Sequence, residues 1–252
     1  MIDVTLIGSG NVAHHLGLAL LACKEIRLVQ WYARDKRQIG NFAPQVAVTD
    51  RLSDLVTADL YLIAVSDDAI AGISAQLPFE NRLVVHTSGS VPMNGIDAKN
   101  KRGVFYPLQT FSKTKDVDWG AVPICIESEH AADYPIVESV ARQLSANLYK
   151  IDSKQRQALH VAAVFVSNFV NHLYQIGDSI CQANGLSFDI LKPLIGETAD
   201  KILTLAPQQA QTGPARRGDQ KTIARHLEFL SEPNQKKIYE LLTHSIQNGQ
   251  KL

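Results

Sequence analysis

The chain is poor in cysteine, and the three it has are scattered. Cys23, Cys125 and Cys181 form no C-x-x-C pair in 252 residues, so neither a disulfide framework nor a cysteine-rich metal site is expected. They read as reduced, buried thiols, which suits a cytoplasmic protein. An excess of either charge is also missing. The 25 Lys and Arg residues balance 25 Asp and Glu, and nothing in that balance predicts a nucleic-acid or membrane-surface partner. No apolar run is long enough to cross a bilayer, because the longest, 158–170, is interrupted by His160, Ser167 and Asn168. The first residues lead straight into a strand pattern with no basic stretch and no cleavage site, so no signal peptide is expected. No His, Cys, Asp or Glu spacing fits a metal, and none is predicted.

What is there begins at once. Residues 4–13 run from an apolar strand into Gly8-Ser9-Gly10-Asn11-Val12-Ala13, a G-x-G-x-x-A turn that opens a helix. In a dinucleotide-binding unit Gly8 permits the tight turn and Gly10 lets the backbone approach the pyrophosphate. Ala13 lets the helix pack closely on its strand, and the helix N-terminus faces the phosphates. A glycine connection that binds nothing is the plainer reading of the same residues.

At 45% hydrophobic residues the chain can bury a large core, and its length suits two domains. Up to about Ile151 short apolar runs alternate with helical patterns, which predicts βαβ units and a mostly parallel sheet. The candidate strands are 4–7, 27–32, 46–48, 60–65, 83–86, 103–106, 122–127 and 147–150. Helices are expected at 11–22, at 67–76 with Asp67 as N-cap, and at 130–145. Beyond Asp152 the pattern is helical. One helix is predicted from Ser153 to about Asn184, apolar on most faces at its middle and therefore covered by other helices or by another subunit. Further helices follow at 187–205, interrupted by Pro193, then at 220–230 and 234–247. The expected architecture is an α/β domain over 1–151 followed by an all-helical domain over 152–252.

The second strand ends Gln30-Trp31-Tyr32-Ala33 without the carboxylate that would bond the ribose hydroxyls of NAD. Arg34, Lys36 and Arg37 follow, and a guanidinium fork suits a 2′-phosphate. The expected cofactor is therefore NADP with Arg34 as its main contact, Asp35 being the residue that would serve NAD instead. Val65 and Ser66 end the fourth strand, and Thr87 and Ser88 end the fifth. Both places lie where open α/β sheets bind ligands, so these four are cofactor candidates and Ser88 a substrate candidate as well. Ordinary strand-to-helix capping is the alternative at each.

Three stretches together carry a resemblance: Gly8–Ala13; Val85–Ser90 with Tyr106-Pro107-Leu108-Gln109-Thr110-Phe111; and Thr212-Gly213-Pro214-Ala215-Arg216-Arg217-Gly218-Asp219. The chain resembles, over essentially its whole length, the Rossmann-like proteins whose C-terminal half is the domain of unknown function 2520. More distantly it is similar to pyrroline-5-carboxylate reductase, ketopantoate reductase and the β-hydroxyacid dehydrogenases. The resemblance implies an NADP-binding Rossmann domain and a helical dimerisation domain of the 6-phosphogluconate-dehydrogenase-like type. It also implies NADP as ligand, with related reductases using a deazaflavin.

In β-hydroxyacid dehydrogenases a lysine on the long helix protonates the substrate, and an asparagine follows one turn later. Asn168 fits the asparagine, but Val164 stands where the lysine would be. His160, a turn upstream on the same stripe of a regular helix, becomes the candidate proton donor, with a packed histidine bonded to a backbone carbonyl as the alternative. The adjacent Arg216 and Arg217 are candidates to bind a substrate carboxylate or phosphate, in a loop whose Asp219 caps the next helix. His14 and His15 read as surface or packing residues. The leading function is an NADP-dependent oxidoreductase of a small anionic carbonyl or imine, acting as a homodimer through the helical half. An NADP-binding regulator or scaffold without turnover is the second reading.

Overall fold

The eight apolar runs form one sheet. In the computed structural model, which describes residues 1–249, the strands are β1 (Ile2–Ile7), β2 (Ile26–Tyr32), β3 (Ala47–Thr49), β4 (Leu60–Ile63), β5 (Leu83–His86), β6 (Lys101–Pro107), β7 (Ile124–Ser128) and β8 (Leu148–Lys150). Their order is β3-β2-β1-β4-β5-β6-β7-β8, and every neighbouring pair is parallel except β6 with β7. The first six strands therefore follow the doubly wound order of a dinucleotide-binding sheet.

Alternation within each strand divides the core. Val4 and Leu6, Leu60 and Leu62, and Leu83 and Val85 face one side. There they pack with Ala13, Leu16 and Leu20 of α1 (Asn11–Ala22) and with Val137 and Val140 of α3 (Tyr134–Leu144). Ile7, Tyr61, Ile63 and Val84 face the other side with Ile70 of α2 (Asp67–Ala75). Near-continuous apolar strands are what a sheet covered on both faces requires. The boundaries move by a residue or a turn. Ser66, not Asp67, occupies the N-cap of α2, and α3 begins at Tyr134 with proline in its first turn rather than at residue 130.

The chain divides into two compact units, 1–167 and 168–252. The first ends with α4 (Ser153–Ala163), which opens on a capping box between Asp152 and Gln155. The predicted helix is not uniform. Val164–Phe169 is π-helical, and α5 (Val170–Ala183) continues from it. A π turn carries more residues than an α turn, so the eight-residue phase argument linking His160 to Asn168 does not transfer unchanged. Such turns concentrate at functional sites. At the middle of the helix Phe165 is 62% and Val166 75% exposed.

The second unit continues with α6 (Lys192–Thr204), α7 (Pro207–Ala210), α8 (Pro214–Arg217), α9 (Gln220–Phe229) and α10 (Pro233–Asn248). Pro193 starts α6 rather than interrupting it, because the missing N–H falls where a first turn has no partner for it. The expected arginine loop is a single helical turn between Gly213 and Gly218, both at positive φ. Asp219 caps α9 by accepting from the Thr222 N–H. Among the described residues no helix is long and apolar enough to cross a membrane.

Candidate functional site

Gly8 and Gly10 are glycines for different reasons. Gly8 has φ +133°, and a Cβ there would lie 2.0 Å from the carbonyl oxygen of Ala64, so the sheet itself requires glycine. Trp31 braces the turn, its indole N–H donating to the Gly8 carbonyl at 2.7 Å. Gly10, the N-cap of α1, has φ −70° and nothing within 4 Å of a Cβ. Nothing in the protein asks for glycine at this position, so the turn leaves open the approach a pyrophosphate would use. No side chain caps α1 and no carboxylate lies in its first turn, so its N–H groups and dipole face outward unneutralised. Ala13 is fully buried against the sheet. These residues fit a dinucleotide.

Around this turn, side chains tie distant segments down. Ser9 donates to Gln38 Oε1 at 2.6 Å, and the Asn11 amide donates to the Phe111 carbonyl at 2.9 Å. His15 is buried, with Nε2 2.9 Å from the Ser112 carbonyl oxygen, so it holds the loop after β6 against α1. It is a packing residue, as expected.

At the end of β2, Arg34 is exposed. With Lys36, Thr49, Asp50, Arg51 and Asp54 it lines a polar cavity of about 500 Å³. Asp35 is already engaged, since both its oxygens receive the Arg37 guanidinium at 2.8 and 2.9 Å and hold its carboxyl below the usual range. Arg51 was not among the sequence candidates. It follows β3, and only the β2–β3 pairing brings it beside Arg34.

The ends of β4 and β5 are built from backbone. Val65 is half-buried and Ser66 exposed at the start of α2, while Thr87 and Ser88 are buried. Ser88 Oγ accepts the N–H groups of Ser90 and Val91 at 3.0 and 2.9 Å, which leaves its own proton to donate. Beneath this turn His86 is fully buried, its Nδ1 accepting the Ser88 N–H and its Nε2 3.3 Å from the Pro92 carbonyl. Burial, and then the nearby Arg156 cation, push its pKa down to about 4. A neutral ring satisfies both bonds, whereas a second proton would confront the Ser88 N–H.

The sign for stability follows. The folded pKa lies below the ordinary value of 6.5, so the unfolded chain takes the proton first. The His86 contribution is complete above pH 6.5 and is lost as pH falls toward about 4, roughly 3 kcal/mol in all. Urea unfolding across that window should show the decline, and His86→Gln should flatten it. An unchanged slope in the variant would remove His86 as the cause.

Arg156, on α4, is 1% exposed and joins β7 to this loop. Its guanidinium donates to Glu127 at 2.5 Å and to the Val91 carbonyl at 2.6 Å, and Ser153 bonds the same carboxylate. One turn later on α4 stands His160, half-buried, with Nδ1 2.9 Å from the Tyr106 hydroxyl at the end of β6. Its partner is thus a phenol and not the backbone carbonyl of the packed-histidine alternative. Gly89 lies against both rings, since a Cβ there would be 2.5 Å from His160 Nδ1 and 2.8 Å from Tyr106 Cζ. Tyr106 was not singled out for chemistry from the sequence.

The remaining candidates belong to the second unit. Asn168 is exposed in the π turn, and Arg216 and Arg217 are exposed on α8.

Residues 122–246 match the family described as Domain of unknown function (DUF2520). A Bacteroides fragilis protein provisionally assigned as an NADP oxidoreductase is 39% identical over 98% of each chain, with a TM-score of 0.89. The chain belongs to the DUF2520 family. Two structures share the fold of this DUF2520 protein at lower identity. A Myxococcus stipitatus imine reductase in complex with NADP+ is 16% identical, over 98% of this chain and 92% of that one, at a TM-score of 0.66. A Plasmodium falciparum pyrroline carboxylate reductase with NADP bound is 12% identical, over 98% of each chain, at 0.63. No curated protein matches the DUF2520 chain.

Proposed function

We propose that this DUF2520 protein is an NADP-dependent reductase of a small anionic carbonyl or imine, working as a homodimer. The observation that carries the reading is the position of His160 against Gly89, at the carboxyl end of β5, in the same unit as the Gly8–Ala13 turn. A dinucleotide with its pyrophosphate on that turn extends along the carboxyl ends of the strands. The NADP oxidoreductase assignment of the 39% identical protein supports the same reading.

NADP, when bound, supplies the hydride. The chain's own residues do the rest. Gly8, Ser9, Gly10, Asn11, Val12 and Ala13 receive the pyrophosphate on backbone N–H groups. Arg34, with Lys36 and Arg51 beside it, takes the 2′-phosphate. Val65, Ser66, Thr87 and Ser88 line the nicotinamide side, and His160 donates a proton to the reduced oxygen or nitrogen. From the helical unit we assign Asn168 to orient the substrate, and Arg216 or Arg217 to hold its anionic group.

Isothermal titration tests the cofactor. NADPH should bind roughly tenfold or more tightly than NADH, and Arg34→Ala should erase that preference, since a charge-assisted bond to phosphate is worth about 1.5–3 kcal/mol. Equal affinity for the two in the parent protein would sink the role of Arg34. Binding without NADPH oxidation across a panel of keto acids and cyclic imines would favour the regulator reading.

Dimerisation rests on apolar side chains left bare in the helical unit: Leu203 is 83%, Leu241 70% and Phe229 66% exposed. Light scattering at micromolar concentration should give twice the chain mass of 27.7 kDa. A monomer would overturn this part.

A further inference from the structure

We propose that Tyr106 is the positioning residue of His160: the phenol takes up Nδ1, fixes the ring proton on Nε2, and so makes Nε2 the atom offered to the substrate. The use of that atom rests on the reductase reading; the geometry does not.

Tyr106 is held by its strand. It is 7% exposed, sits in a small core with Val104, Cys125 and Leu159, and pairs across the sheet with Cys125. Leu159 precedes His160 on α4, so the packing that places the phenol also places the imidazole. The two rings meet edge to face at 73°, with centroids 5.9 Å apart. Gly89 closes the third side, and with no Cβ the turn after β5 can lie directly on the pair.

Proton accounting decides the tautomer. Burial, and then the neighbouring Cys125, push the Tyr106 pKa up to about 12, so the hydroxyl keeps its proton at neutral pH. A buried hydroxyl needs an acceptor, and among the described residues His160 Nδ1 is the only hydrogen-bond partner of this one. Were Nδ1 protonated, it would donate to the phenol oxygen and leave the phenol proton with no protein acceptor among the described residues. The neutral ring has a single N–H, so accepting at Nδ1 puts that proton on Nε2. One turn upstream on α4, Arg156 is anchored by its ion pair with Glu127.

The test is nitrogen NMR of the full-length protein with 15N-labelled histidine, with and without NADPH. In the parent protein at a pH where the ring is neutral, His160 should show an unprotonated Nδ1 and a protonated Nε2. A protonated Nδ1 in the parent protein would by itself overturn the proposal, whatever any variant does. Tyr106→Phe removes one hydroxyl and keeps the ring, and should shift the tautomer ratio toward the Nδ1–H form by roughly fivefold, the factor set by one net hydrogen bond. An unchanged ratio in a folded Tyr106→Phe protein would also overturn it, because a purely packing role leaves the ratio alone. If NADPH fails to bind while the tautomer stays fixed on Nε2, the reductase reading falls and the positioning stands.

Discussion

Arg156→Ala should destabilise the first unit by about 3–5 kcal/mol in urea or thermal unfolding, the usual cost of removing one partner of a buried ion pair. The substitution strips the Glu127 carboxylate of its guanidinium and leaves it only Ser153. It also frees the Val91 carbonyl, which Arg156 now satisfies, and empties a site that is 1% exposed. The effect should reach the loop, because Val91 closes the turn that Ser88 and Gly89 occupy. Arg156→Met combined with Glu127→Gln removes both charges together and should recover much of the loss. A single-variant cost below about 1 kcal/mol would mean that the pair is solvated and the network unimportant.

Gly8→Ala and Gly10→Ala, two apparently equal changes in one turn, should behave oppositely. At Gly8 the methyl group meets the Ala64 carbonyl and φ is +133°, so overpacking and backbone strain together cost about 2–5 kcal/mol. At Gly10 neither penalty applies, and the loss should stay below about 1 kcal/mol. NADPH affinity should nevertheless fall at least tenfold, about 1.4 kcal/mol, because the methyl occupies the phosphate approach. Thermal unfolding and calorimetry on the two purified variants give the four numbers. Unchanged NADPH affinity in Gly10→Ala would remove the turn from the cofactor site.

Local pattern carried most of the architecture. All eight strands and the start of α1 were legible, since alternation and turn residues act within a few positions of each other. Many helix ends were legible to within about a turn, as at Asp219, whose cap needs only the next three residues, whereas α6 begins at Lys192 and not at residue 187. The π turn at Val164–Phe169 was not, because nothing in the apolar pattern there separates it from a regular α-helix.

The candidate site divides in the same way. The glycine turn, the missing carboxylate after β2 and the histidine on α4 could each be read along the chain. Their partners could not. Tyr106 lies 54 residues from His160, Glu127 lies 29 from Arg156, and Arg51 reaches the Arg34 cavity only because β2 and β3 pair. By itself the sequence determined a doubly wound sheet, a helical second half and a phosphate-ready turn, because those depend on short-range periodicity and backbone freedom. Only the tertiary structure decided which buried phenol holds the histidine and which glycine the protein needs for itself. Those choices depend on side-chain shape and hydrogen-bond satisfaction between strands that meet only on folding.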